Sequence, residues 1–231
     1  MMKDLPRALA LSFAQLLDPA IVRILVKTAL LTILVVVALA FALSWMVEWG
    51  LARAGFDPEA YAGMGALVTV LVAALGLWLL FRIVALAILQ LFADDVVAAV
   101  ERRHYPQAAE TMKSLPLARD IGNSARGMLR AVLANAAALP IAAVLLFTAI
   151  GPAIVFLAVN AVLLGRELQD MVWLRHPRAT SSERPPLSRP TRIALGTIIA
   201  AMMAVPFINL FAPIIGAASA THLVHRKMIS T

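Results

Sequence analysis

The first residues in this chain able to do chemistry lie where a helix should begin. Asp18-Pro19-Ala20-Ile21-Val22-Arg23 places a favoured N-cap and a favoured first helical residue in succession, and Lys27 follows Arg23 one turn later. Free backbone N–H groups at such a start attract anions, and Arg23 and Lys27 add full charges on one face. The same residues fit a second reading, in which two cations before a membrane helix anchor its topology and Asp18 fills the cap itself. A second charged group is Arg166, Glu167 and Asp170. Glu167 and Asp170 share a helix face and can pair with Arg166 or with Arg82, either gating a polar cavity or forming a cytoplasmic ion-pair cluster. Asn160 and Asn209 are amides in apolar surroundings, suited to hydrogen bonds between helices or, for Asn209, to capping broken backbone.

No catalytic constellation accompanies them. The chain has no Walker loop, no dinucleotide glycine fingerprint and no zinc-protease HExxH. Ser181, Ser182 and Ser188 lack an activating partner, so neither an enzyme nor a cofactor is expected. His222 and His225 are three apart, but beside Arg226 and Lys227 they read as interfacial residues, and no metal ligand set is expected. The absence of cysteine excludes disulfides and thiolate sites.

Positioning these groups falls to a chain of 231 residues that is 62% hydrophobic and only 14% charged, the composition of an integral membrane protein. Its net charge of +7 is explained by cytoplasmic loops rich in Lys and Arg, without invoking nucleic acid. Residues 4–17 carry Leu5, Leu9, Phe13 and Leu16 at helical spacing and are expected to form an interfacial helix. A long spanning helix follows over 19–49, with Thr28 to Val47 free of charge and Trp45 and Trp49 at its far end. A second occupies 63–93, with Arg82 near the membrane boundary. DDVVAAVERRHY continues it into solvent before Pro106 and Pro116 break the pattern.

Two interrupted hydrophobic regions follow. Residues 117–164 should be kinked at Pro140 and ended at Gly151-Pro152, leaving a second half short for a span. Residues 166–192 read as a cytoplasmic loop with a Pro/Ser/Arg-rich centre. Residues 193–227 are interrupted by Pro206, Asn209 and Pro213, which predicts two half-helices folded back around PFINLFAP. The expected class is thus an all-α integral membrane protein with two long transmembrane helices and two Pro/Gly-broken helix pairs, whose depth of penetration the pattern leaves open. Of the 20 Lys and Arg residues only Arg53 falls between the first two spans, which predicts both termini in the cytoplasm.

Three stretches together resemble one family. LLDPAIVRILVK is similar to the N-terminal signature of CysZ-type sulfate permeases, GRELQDMVWLRH to their acidic segment after the middle helix pair, and VPFINLFAPIIGAASATHLVHR to their C-terminal signature. The family also includes the etoposide-induced membrane proteins. The resemblance implies a multi-pass protein of the bacterial inner membrane that assembles as a homo-oligomer in contact with lipid and takes up sulfate, or a similar oxyanion, for cysteine synthesis. By position it assigns substrate binding to Arg23, with the backbone of Ala20, Ile21 and Val22 beside it; the charge pattern adds Lys27 a turn away. The family's glycine in this turn is absent here. Arg82, Glu167, Asp170 and Asn209 are the candidates for a pore or gate. The competing expectation is a non-transporting membrane scaffold or envelope factor that binds lipid or a protein partner.

Overall fold

The computed structural model describes residues 3–53, 75–78, 80–81, 84, 92–112, 117–176, 185–205 and 207–229. The expected long helix over 63–93 and the position of Arg82 lie largely or wholly outside them. The helices are α1 (Asp4–Gln15), α2 (Pro19–Arg53), α3 (Ala93–His104), α4 (Pro106–Thr111), α5 (Leu117–Val144), α6 (Gly151–Trp173), α7 (Arg189–Ala204) and α8 (Ala212–Ile229). No strand occurs among the described residues, so the all-α class expected from the sequence holds. Among the described residues, three helices are long and apolar enough to cross a membrane, over Pro19–Ala42, Ala125–Phe147 and Gly151–Trp173.

The chain divides into two compact units, Met1–Val22 with Ala93–Thr231, and Arg23–Phe92. In the second, Thr28 and Thr32 return their hydroxyls to the carbonyls of Ile24 and Thr28 at 2.7 and 2.8 Å, leaving no unpaired hydroxyl in an apolar helix. Leu30, Ile33, Leu34, Val37 and Phe41 are exposed, as a lipid-facing surface requires. At the far end the Arg53 guanidinium lies 4.3 Å from the Trp49 ring centre, a cation–π contact one turn along the helix.

The first unit is built around α8. Every residue from Ala212 to His225 is buried, because α1, α3, α6 and α7 all pack against this helix and its many small residues admit them closely. The partner face of α1 is Leu5, Ala8, Ser12 and Gln15, and Phe13 of the expected apolar stripe is 50% exposed. The polar members of that face are matched by α8: Ser219 Oγ donates to Ser12 Oγ at 2.9 Å, while Gln15 meets His222. Val96, Val97 and Val100 of α3 are buried as well, so DDVVAAVERRHY is core on one face and not solvated all round.

Helices α6 and α7 touch through backbone. A methyl group added at Gly196 would stand 1.9 Å from the Ala161 carbonyl oxygen, and one at Gly165 would stand 2.0 Å from that of Arg192. Gly151-Pro152 opens α6 and does not end the preceding helix: Pro152 fills a first-turn position, and the Gly151 N–H donates to Thr148 Oγ1 at 3.1 Å. Helix α6 then runs through Trp173, so 166–173 is helix where a loop was expected, and its length suffices to span. Pro140 lies inside α5 without ending it. The last pair is interrupted after α7, with Val205 extended, Phe207 at a positive φ of 65° and Ile208–Leu210 in a 3₁₀ turn. Pro213 sits in the first turn of α8, where its missing N–H has no consequence.

Candidate functional site

The first turn of α2 holds its own anion. Asp18 Oδ1 accepts the Ala20 N–H at 3.0 Å, the Asp18 carbonyl accepts the Val22 N–H at 2.8 Å, and Ile21 is buried. The other Asp18 oxygen pairs with Arg103 at the end of α3. Further along the helix, Arg23 and Lys27 are exposed and one turn apart, and the Lys27 ammonium lies 4.7 Å from the Phe92 ring centre.

The remaining expected residues are dispersed. Arg166 Nε and Asp170 Oδ2 lie 3.5 Å apart as an i,i+4 pair, while Glu167 is exposed. Asn209 is buried in the 3₁₀ turn and donates its backbone N–H to the Val205 carbonyl at 3.0 Å. Asn160 Nδ2 donates to the Phe156 carbonyl of its own helix at 2.8 Å and not across to a neighbour. Among the described residues no hydrogen bond or ion pair joins Glu167 and Asn209.

A second constellation escaped the sequence reasoning. Glu101 on α3 has no exposed surface, and its Oε1 receives His225 Nε2 from α8 at 2.8 Å and His176 Nε2, from just beyond α6, at 3.0 Å. Arg175 fixes the approach of its neighbour His176 by donating to the Asp94 carbonyl at 3.0 Å. Tyr105 stacks on His225 with ring centres 4.6 Å apart, and His176 meets His225 edge-on at 4.9 Å. Next to them, His222 Nε2 lies 2.9 Å from Gln15 Nε2, and His222 Nδ1 lies 2.9 Å from the Tyr105 hydroxyl. Both ring nitrogens of His222 are thus engaged, one by the Gln15 amide and one by the Tyr105 hydroxyl. Its ring is neutral.

The electrostatics agree with these roles. Burial alone would raise the Glu101 carboxyl, but the hydrogen bonds and positive potential of His176 and His225 hold it down at about 2. Burial pushes His222 down to about 4, and the nearby charges of His104, Arg226 and His225 act in the same direction. Burial raises the Tyr105 phenol against the opposing pull of Arg226. His222 and His225 are therefore core residues and not interfacial ones. The signals that could have found them were their three-residue spacing on one face of α8 and the Val96, Val97, Val100 pattern that turns Glu101 inward.

Compared with known families, residues 8–213 match the family described as sulfate transporter CysZ/Etoposide-induced protein 2.4. Nothing among the curated proteins or the solved structures matches the chain.

Proposed function

The chain belongs to the sulfate transporter CysZ/Etoposide-induced protein 2.4 family, and on that premise we propose that it carries sulfate, or a closely similar oxyanion, across the membrane as a permease or channel. The observation that carries this reading is the family match over residues 8–213, which takes in the three helices long enough to span among the described residues. Arg23 and Lys27 are the capturing charges. Because Asp18 already holds the Ala20 amide, capture rests on their side chains first, with the backbone of Ala20, Ile21 and Val22 engaged only when Asp18 gives way. Glu167, Asp170, Asn209 and Arg82 stand as candidates for lining or gating the route. Residues such as Leu139, Val144, Phe147 and Ile154 are exposed on a single chain, which supports contact with lipid and with further copies in a homo-oligomer. The setting is a bacterial inner membrane with both termini cytoplasmic, and the cargo feeds cysteine synthesis. No nucleotide-binding motif is present in the sequence, so an ion or sulfate gradient drives the flow.

One observation favours the second reading, a non-transporting scaffold that binds lipid or a protein partner: a carboxylate occupies the helix start where the oxyanion would dock. Equilibrium binding of labelled sulfate to the purified protein separates the two. Binding should weaken about tenfold or more in Arg23→Ala, the loss of one charged hydrogen bond. In Asp18→Asn it should strengthen roughly two- to fivefold, because Asn keeps the cap and removes a negative charge. No binding by the folded wild-type protein would transfer the assignment to the scaffold.

A further inference from the structure

Independently of the oxyanion reading, we propose that Glu101, His176 and His225 form a binding site for a divalent first-row transition ion of the zinc type, which ties α3, the segment after α6 and α8 together. The three residues each offer a donor atom, and these atoms lie within 4.8 Å of one another. Each side chain is at most 2% exposed. A tetrahedral ion with bonds of about 2.0–2.1 Å holds its donors roughly 3.3 Å apart, so the hydrogen-bond separations of 2.8 and 3.0 Å need open by only a few tenths of an ångström.

A second observation points to a ligand. Both histidines converge on Oε1, and Glu101 Oε2 is buried without a hydrogen-bond partner among the described residues. An unpaired buried carboxylate oxygen carries a desolvation penalty of about 1–3 kcal/mol or more. A cation placed among the three side chains removes it, because the carboxylate can offer either oxygen, or both, to the metal.

The donor set narrows the ion. Two imidazoles and one carboxylate suit zinc and its neighbours, whereas magnesium and calcium prefer oxygen alone and the chain has no thiolate for copper(I). His222 is not a ligand, since both of its ring nitrogens are engaged by Gln15 and Tyr105. Tyr105 supports the site instead, through its stacking on His225 and its contact with His222. On binding, each coordinating Nε2 gives up its hydrogen-bonding proton, which moves to Nδ1 or is released to solvent.

The test uses full-length protein in detergent, purified through a tag without histidine, stripped with chelator and titrated with Zn2+ and Co2+. About one ion should bind per chain, with Zn2+ raising the melting temperature by several degrees and Mg2+ leaving it unchanged. Bound Co2+ should show the intense visible bands of a four- or five-coordinate site. Stoichiometric binding should be lost in His176→Gln and His225→Gln and retained in His222→Gln. Should the two ligand variants fail to fold, the Co2+ spectrum and the melting shift of the wild-type protein decide. No stoichiometric binding to the wild type, or equal binding by folded His225→Gln, overturns the assignment. Sulfate binding is read separately in the same samples, so loss of either activity leaves the other measurable.

Discussion

Glu101 Oε1 accepts a hydrogen bond from His225 Nε2 at 2.8 Å, joining α3 to α8 across 124 positions of sequence in a place water does not reach. Removing one partner of such a pair leaves the other buried without compensation, which typically costs about 3–5 kcal/mol. Glu101→Ala should therefore lower the melting temperature of the detergent-solubilised protein sharply, with Glu101→Gln intermediate. The comparison is Asp94→Ala on the same helix, whose side chain is 71% exposed and whose loss should change stability by less than about 1 kcal/mol.

His222 gives the protein a predictable acid limb. Its folded value of about 4 lies below the ordinary 6.5, so the unfolded chain takes up the proton first, and the stability contributed by the neutral ring is complete above pH ~6.5. It is lost as pH falls from there through about 4. Melting temperatures of chelator-treated protein across this window should decline in the wild type. In His222→Gln, which cannot titrate, the decline between those limits should flatten, starting from a lower plateau.

The α6–α7 contact predicts opposite signs for one kind of substitution. Gly165→Ala and Gly196→Ala drive a methyl group into a backbone carbonyl, which has no rotamer by which to yield, and should destabilise by about 1–3 kcal/mol or more. Gly122→Ala on α5 meets nothing within 4 Å and should stabilise by roughly 0.5–1 kcal/mol through helix propensity. Thermal unfolding of the three variants side by side checks both signs.

Local chemistry was legible in the sequence where it acts locally. Asp18-Pro19 marked the start of α2, and Asp18 indeed caps it. The uncharged run from Thr28 to Val47 identified a span. Gly151-Pro152 misled because the same dipeptide that stops one helix also begins the next, and Arg166 misled because a charge on an apolar helix resembles the start of a loop. Glu101 was hidden for another reason. Its neighbours Arg102 and Arg103 are exposed, and a charged run gives no sign that one member points inward. The meeting of Glu101 with His176 and His225 depends on how α3, α8 and the segment after α6 pack, which no period within a single helix encodes. The α1 stripe was rotated for a similar reason, since Ser12 and Gln15 are buried by virtue of partners on α8.

The most direct test of the central claim is radiolabelled sulfate flux into liposomes carrying the purified protein, with Arg23→Ala protein and empty liposomes alongside. The account predicts saturable flux that falls about tenfold or more in the variant. Flux no greater than that of empty liposomes, from protein shown to be folded and inserted, would contradict it.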